Sequence, residues 1–215
     1  MNHFFTDLTD ICSTTMLENY FQKNTLEAGI DEAGRGCYAG PVFAAAVILP
    51  IDFYHPLLND SKQVKEKDRA ALRTIIEKES IAWAVSSVSN ETIDAINILQ
   101  ASYLAMHQCV QQLTPQPQLL LVDGNRFKPY PGIAHQCIIK GDGKFTSIAA
   151  ASILAKTHRD TYMLQLHESF PQYQWNHNKG YGTAVHRAAI ETNGICIHHR
   201  RSFNIQPAQL NLFLK

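Results

Sequence analysis

Features that would narrow the function at once are missing from this sequence. Basic and acidic side chains number 19 each, so the formal net charge is zero, and no overall basic field would attract a polyanion. The five cysteines are widely scattered and form no Cys-x-x-Cys pair, which argues against a disulfide framework and against a structural zinc site. If the partner is a nucleic acid, a local patch must bind it.

Targeting and membrane segments are missing as well. The N-terminus begins Met-Asn-His-Phe-Phe and carries Asp7 and Asp10, so it lacks the basic region and the long apolar region of a signal peptide. No apolar run approaches the length of a membrane span. Together with the scattered cysteines, these absences predict a cytoplasmic protein that does not bind a membrane. A monomer is the default expectation.

What is present suits one globular domain. The chain has 215 residues, of which 45% are hydrophobic, and this is enough to bury a core. We expect a leader over residues 1–24 and a main domain over 25–204 with a small helical part near its C-terminal end. A short helix is expected over 205–215.

Hydrophobic periodicity predicts five strands and several helices within the main domain. Asn90 is expected to cap the second helix, and Gly194 to end the last one. The strands are predicted at residues 26–30, 41–49, 81–88, 119–122 and 134–140, and the helices at 65–78, 91–113 and 147–170, with another from about residue 183. This order predicts a mixed α/β sheet of five strands, not a regular repeat of strand, helix and strand.

Acidic residues stand where three of the predicted strands end. Asp31 and Glu32 follow the first strand, Asp123 follows the fourth and Asp142 the fifth. Sites in open α/β sheets form where neighbouring strands end, so we expect the four carboxylates to converge. Close carboxylates raise one another's pKa values unless a cation is bound. The pattern therefore predicts a Mg²⁺-type site, where two ions would activate water and stabilise the leaving oxygen of a phosphodiester.

Several of these acids also have a simpler explanation. A single Asp-Gly after a strand is more often a turn than a ligand, which applies to Asp123 and Asp142 taken separately. Asp160 is a competing fourth acid, although an ion pair with Lys156, one helical turn earlier, would account for it. The coincidence of acids at three strand ends is what favours the metal site.

The motifs around these acids resemble the signature of ribonuclease HII, the bacterial type 2 ribonuclease H. The acidic pair lies in the stretch Gly29-Ile-Asp-Glu-Ala-Gly-Arg-Gly36, and six further motifs follow in the order of the family. They are Asn59-Asp-Ser-Lys62, Leu121-Val-Asp-Gly-Asn125, Lys140-Gly-Asp142, Ala149-Ala-Ala-Ser-Ile-Leu-Ala-Lys156, Asn178-Lys-Gly-Tyr181 and His199-Arg-Arg-Ser-Phe203. The resemblance spans residues 26–204, and its small departures, at Tyr38 and Phe43, do not touch the expected chemistry.

This resemblance implies a ribonuclease H-like fold and an endonuclease that depends on Mn²⁺ or Mg²⁺. Its substrates would be RNA–DNA hybrids and DNA duplexes with single embedded ribonucleotides, as in ribonucleotide excision repair. Cleavage would leave 5′-phosphate and 3′-hydroxyl ends. The family's four metal-binding acids fall on Asp31, Glu32, Asp123 and Asp142, the same residues that follow the strands.

The resemblance also implies how the substrate is held. The glycine–arginine–glycine element that grips the ribonucleotide around its 2′-hydroxyl falls on Gly34, Arg35 and Gly36, and glycines let a backbone approach that group closely. The tyrosine that stacks on the sugar beside the cut falls on Tyr181. Without the motif, the simpler interpretation of Tyr181 would be an ordinary half-buried tyrosine.

Further residues of the motifs are expected to support binding. Ser61 and Asn125 would form hydrogen bonds at the site, whereas His198 and His199 are expected to be structural. Basic side chains usually position a nucleic acid through its phosphates, although each alone is more simply a surface charge. The candidates for phosphate contacts are Lys62, Lys144, Lys179 and Arg200.

Three alternatives stay open at this stage. The sister type, ribonuclease HIII, carries a different residue between the two motif glycines and an extra N-terminal domain, so Arg35 argues against it. A non-catalytic nucleic-acid-binding module on the same fold is disfavoured by the complete set of acids. A phosphohydrolase of small molecules is compatible with the neutral net charge, but none of the motifs supports it.

Overall fold

The computed structural model describes residues 17–59, 61 and 64–205. Its strands are β1 (Glu27–Ala33), β2 (Val42–Ile48), β3 (Ala82–Val88), β4 (Leu119–Asp123) and β5 (Ala134–Ile138). Its α-helices are α1 (Glu66–Glu79), α2 (Asn90–Ile96), α3 (Ile98–Gln112), α4 (Thr146–Ser169), α5 (Trp175–Asn178) and α6 (Ala184–Asn193). Most of the predicted leader, and the predicted helix over 205–215 beyond its first residue, lie outside the described residues.

One mixed sheet of five strands organises the described residues, in the order β3-β2-β1-β4-β5. Strand β2 is antiparallel to both β1 and β3, whereas β1, β4 and β5 are mutually parallel. The prediction of a mixed five-stranded α/β sheet is therefore confirmed. Because β1, β4 and β5 run in one direction, their carboxyl ends share one edge of the sheet.

The core lies on both faces of this sheet. Side chains alternate along β2, so that Ala44 and Ala46 pack toward α3 while Ala45 and Val47 pack toward α1 and α4. The start of α4 crosses β1 at Gly29, where an added Cβ would lie 2.1 Å from a backbone carbon of Ser147. The sheet is thus covered on both sides, and its carboxyl edge is left for a site.

Two local predictions need correction. The helix predicted over 91–113 is two helices, because Asn97 has a φ of 65° and separates α2 from α3. Asn97 also caps α3, since its side chain accepts hydrogen bonds from the N–H groups of Leu99 and Gln100. The cap of α2 is Ser89, whose hydroxyl accepts from the N–H of Thr92, and not Asn90.

A small helical part follows α4, as the sequence predicted. It contains α5, α6 and a short 3₁₀ turn at Pro171–Tyr173. Tyr173, Trp175 and Ile190 form a cluster with Met163 of α4. Thr183 caps α6 and Gly194 ends it. No helix in the described part of the chain is long and apolar enough to cross a membrane.

Candidate active site

The four predicted acids lie at the shared carboxyl edge of the parallel strands. Ile30 of β1 is opposite Val122 of β4, so Asp31 and Asp123 follow side by side. Asp142 lies in the turn Gly141–Gly143, just after β5. Asp31 and Glu32 are within β1 and not beyond its end, which corrects the predicted strand boundary. Tertiary structure brings the four residues to the same edge of the sheet.

Asp31 is the buried centre of this acidic group, with 6% of its surface exposed. Burial raises its pKa well above the usual range, and the charges of Glu32 and Asp123 raise it further. A hydrogen bond from the Ser152 side chain and one from the N–H of Glu32, at 2.7 Å, act in the opposite direction. The protein therefore gathers negative charge around Asp31 without neutralising it.

The turn that carries Asp142 is tied to the neighbouring strand. The N–H of Gly141 donates to Oδ1 of Asp123 at 2.7 Å. A Cβ on Gly141 would lie 3.4 Å from that oxygen and 2.6 Å from Cδ1 of Ile148. Glycine at this position therefore allows the turn to approach Asp123 closely, and it fixes one oxygen of that carboxylate.

These acids suit a hard divalent cation by their chemistry. Carboxylate oxygens are the ligands that Mg²⁺ and Mn²⁺ prefer, and the raised pKa of Asp31 reflects negative charge that a cation would compensate. Neighbouring side chains on a strand point to opposite faces, which separates Asp31 from Glu32. No three His, Cys, Asp or Glu residues among those described form a metal-binding group in this structure.

Arg35 is the local cation beside this edge. Its Nη1 lies 3.1 Å from Oε1 of Glu32, and half of its side chain stays exposed. An exposed pair of this kind contributes little to stability. The guanidinium is therefore positioned by Glu32 but remains accessible to a ligand.

The loop with Gly34, Arg35 and Gly36 is held from behind by Arg159. Gly34 has a φ of 94°, and a Cβ there would lie 2.0 Å from Nε of Arg159, so only glycine fits. Arg159 is fully buried and donates to the carbonyls of Pro41 and Ala39 at 3.1 Å each, and to that of Lys179 at 2.8 Å. A Cβ on Gly36, by contrast, would meet no atom within 4 Å, so the outer face of the loop is open.

A second buried arginine, Arg200, holds the same loop. Its Nη1 donates to the carbonyl of Arg35 at 2.8 Å and its Nε to that of Gly40 at 2.9 Å. Its guanidinium lies 5.1 Å from the ring of Phe203, and its buried Nη2 has no hydrogen-bond partner in the structure. Arg200 is fully buried, which corrects its prediction as a phosphate contact.

Tyr181 lies beside this loop, as predicted. An isolated antiparallel bridge pairs it with Cys37, and 40% of its surface is exposed. Burial, followed by the neighbouring Cys37, raises the pKa of its hydroxyl to about 12, so the phenol stays neutral. Nζ of Lys156 lies 5.7 Å from the centre of the ring, and the Arg159 guanidinium lies 5.8 Å from it.

The remaining predicted residues have different positions. Ser61 is buried, and its hydroxyl oxygen lies 2.7 Å from that of Ser152, which is hydrogen-bonded to Asp31, so Ser61 supports the acids indirectly. Lys144 is exposed. Nζ of Lys179 lies 3.9 Å from a carboxylate oxygen of Glu66, whereas Lys62 is outside the described residues. Asp160 pairs with Lys156 at 2.7 Å, as its simpler explanation predicted.

A groove of about 330 Å³ adjoins the acids. Asn125 lines it, in agreement with its predicted place at the site. Its full lining is Glu32, Arg35, Leu99, Ser102, Tyr103, Met106, Asp123, Gly124, Asn125 and Arg126. The wall from α3 and the side chain of Arg126 were not predicted, because nothing in an amphipathic helix pattern shows which of its turns faces a site.

Comparisons with known proteins agree with this geometry. A family model described as ribonuclease HII matches residues 28–206. The ribonuclease HII of Bacteroides thetaiotaomicron is 63% identical over 198 residues, which cover 92% of this chain and 99% of the relative.

Solved structures show the same fold. The PCNA:RNase HII complex from Archaeoglobus fulgidus matches with a TM-score of 0.70 and 26% identity, over 86% of this chain and 98% of that one. Bst-RNase HIII in complex with Mn²⁺ matches with a TM-score of 0.67 and 19% identity, over 84% of this chain and 68% of that one. With the family model and the close relative, these matches show that the chain belongs to the ribonuclease HII family and is an endoribonuclease of the ribonuclease H class, acting on RNA paired with DNA.

Proposed function

We propose that this enzyme cuts DNA duplexes at single embedded ribonucleotides as well as the RNA strand of RNA–DNA hybrids, and that it leaves 5′-phosphate and 3′-hydroxyl ends. The observation that supports this proposal is the position of the four carboxylates relative to the loop with Gly34, Arg35 and Gly36. Four carboxylates at the ends of three parallel strands lie next to a rigid loop whose outer backbone is open at Gly36. Such a site combines a place for metal ions with a place for one sugar.

The acids would hold the metal ions. Asp31, Glu32, Asp123 and Asp142 supply oxygen ligands for Mg²⁺ or Mn²⁺, and a bound pair of ions would supply an activated water and charge stabilisation for the leaving oxygen. Ser152 supports Asp31 through its hydrogen bond, and the Gly141 N–H orients Asp123. These contacts position the carboxylates before a substrate arrives.

The loop would read the ribose. A 2′-hydroxyl both donates and accepts hydrogen bonds, and the open backbone at Gly36 can meet it without a side chain in the way. The two buried arginines fix this loop, so recognition needs little ordering on binding. The half-exposed ring of Tyr181 beside the loop would stack on the adjacent sugar.

The groove next to the acids would guide the duplex. Arg35 and Arg126 line it together with Asn125, and Lys144 is exposed. Because the whole chain has no net charge, phosphate binding has to come from such local cations. Lys62 and Lys179 complete the proposed set of phosphate contacts.

The remaining properties follow from the proposed reaction. We assign residues 25–204 to the catalytic domain and expect the enzyme to act as a monomer in the cytoplasm. Its cellular task would be ribonucleotide excision repair, because cutting at a lone ribonucleotide creates the nick from which removal starts.

A cleavage map tests this function. The substrate is a labelled DNA duplex with one ribonucleotide, compared with an all-DNA duplex and with an RNA–DNA hybrid, in Mg²⁺, Mn²⁺ or a chelator. We expect one metal-dependent cut at the ribonucleotide and a 5′-phosphate on the downstream product. Cleavage of the hybrid alone would refute the single-ribonucleotide activity.

A further inference from the structure

Two buried histidines stand directly behind Tyr181. His186 belongs to α6 and His199 follows it in the chain, and they are 0% and 1% exposed. His186 was not singled out by the sequence, and His199 was expected to be structural. Their Nε2 atoms are 3.2 Å apart, so one of the two must donate and the other accept.

The partners of His186 decide its protonation. Its Nδ1 lies 2.9 Å from the Tyr181 carbonyl oxygen, which can only accept, so Nδ1 carries the proton. The indole N–H of Trp175 reaches Nε2 at 3.1 Å and can only donate, so Nε2 has a free lone pair. His186 is therefore the neutral Nδ1–H tautomer.

The protonation of His199 is decided by Cys196. The backbone N–H of Cys196, which can only donate, reaches Nδ1 of His199 at 3.0 Å, and the Cys196 thiol lies 3.3 Å from the same nitrogen. The proton of the neutral ring is therefore on Nε2, which shares the single lone pair of His186 Nε2 with the indole N–H of Trp175. His199 is the opposite, Nε2–H tautomer, and the hydrogen bonds run in one direction from Cys196 to Tyr181.

The surroundings keep both rings neutral. Aromatic rings pack around His199, with the ring centres of Tyr173 and Trp175 at 4.8 Å and 5.6 Å. The other titratable groups near the pair are Tyr38, Cys196 and His198. Burial lowers the pKa of His186, and burial followed by its histidine neighbours lowers the pKa of His199 to about 4.

We propose that His186 and His199 are positioning residues that orient Tyr181 for the substrate through this one-way chain of hydrogen bonds. The carbonyl of Tyr181 also accepts from the N–H of Thr183 at 2.8 Å, and its own N–H donates to Asn178 at 2.9 Å. The backbone of Tyr181 is thus hydrogen-bonded through both its N–H and its carbonyl, which fixes the point from which its ring extends. This inference rests on the role given to Tyr181 in the proposed function.

A first experiment measures the tautomers without any substrate. Long-range ¹H–¹⁵N spectra of the full chain separate protonated from unprotonated ring nitrogens. At pH 7 we expect the proton on Nδ1 in His186 and on Nε2 in His199, and at pH 6 the His199 ring still neutral. The same tautomer in both rings, or a charged His199 ring at pH 6, would overturn the chain of hydrogen bonds.

A second experiment connects the chain to cleavage through two variants of His186. His186→Asn keeps a donor near the position of Nδ1, whereas His186→Leu removes it and keeps an apolar side chain. On the single-ribonucleotide duplex we expect His186→Leu to lose about tenfold in kcat/KM, since small displacements at a site reduce rates strongly, and His186→Asn to lose much less. Equal losses would contradict positioning through the carbonyl.

A double-mutant cycle with Tyr181→Ala tests whether the effect passes through Tyr181. In that background His186→Leu should cause almost no further loss, and a full additional loss would overturn the inference. Should His186→Leu fail to fold, His199→Gln, which keeps a donor toward His186, is compared with His199→Phe in the same cycle. Continued cleavage by Asp31→Asn would refute the proposed function alone and leave the tautomers unchanged.

Discussion

The acidic edge and the loop beside it differ in how the buried charges near them are compensated. At the edge, burial raises the pKa of Asp31, and the nearby charges of Glu32 and Asp123 raise it further. Behind the loop, Arg159 and Arg200 are equally buried but donate to a series of backbone carbonyls. The edge is complete only with a cation, whereas the loop has its final shape without a ligand.

From this difference we expect the two regions to have different functions, ion binding at the acidic edge and recognition of one hydroxyl at the loop. A site that depends on a bound ion needs negatively charged ligands that are close enough together to repel one another when the ion is absent. A site that recognises one hydroxyl needs a fixed shape, because a flexible loop would lose binding energy to ordering. Substitutions in the two regions should therefore have different consequences for rate, specificity and stability.

The largest effect is expected at the acidic edge. Asp31→Asn keeps the size of the side chain but removes a charged ligand, so cleavage should fall by about 10³-fold or more, in line with several kcal/mol of metal-based stabilisation. Hybrid binding should survive, because the loop is untouched. Initial rates and gel-shift binding measure the two properties, and Asp123→Asn serves as the matched variant. If binding declined in step with activity, Asp31 would be structural.

A smaller effect, of a different kind, is expected from Gly34→Ala. The added Cβ meets Arg159 and the positive φ disfavours a side chain, so the free energy of unfolding should fall by about 1–3 kcal/mol. Gly36→Ala is the matched control, because its Cβ would meet nothing within 4 Å. Chemical denaturation of both variants measures the difference. Equal stability would show that the loop is not held rigidly by Arg159.

Arg35→Ala should change specificity more than stability. Its side chain is half exposed, so folding should change by no more than about 0.5 kcal/mol. Cleavage at a single ribonucleotide should fall about tenfold, an effect worth roughly 1.4 kcal/mol, and the loss on a long hybrid should be smaller. The ratio of kcat/KM on the two substrates is the measurement, and an unchanged ratio would exclude this loop as the reader of the ribose.

The last expected effect is confined to acidic pH and is a pH dependence of stability behind the loop. The folded pKa of His199 is about 4, below its value of about 6.5 in an unfolded chain. Between these values the unfolded state binds the extra proton, so stability decreases as pH falls from 6.5 to 4, by at most about 1.4 kcal/mol per pH unit. Unfolding curves of the wild type and of His199→Gln should diverge in this window and run parallel above it.

The elements that could be predicted were those with a local signal. The strand β2, the start of α6 near Thr183 and its end at Gly194 all depend on neighbours within a few residues, and the structure contains them. The break at Asn97 was missed because periodicity continues across it, and only the backbone angle shows that the helix is interrupted. The strand boundary at Asp31 was missed because carboxylates are poor strand formers, and pairing with β2 overrides that preference.

By itself, the sequence determined the family and the mixed sheet, and it predicted the four acids of the site. These depend on residue type and spacing along the chain, which seven motifs in order make specific. Tertiary structure alone decided that Arg200 is buried and not a phosphate contact, and that two buried histidines lie within hydrogen-bond distance of each other and of the Tyr181 carbonyl. Burial and hydrogen-bond partners come from segments far apart in sequence. The role of an arginine or a histidine therefore cannot be predicted from its residue type and its sequence neighbours alone.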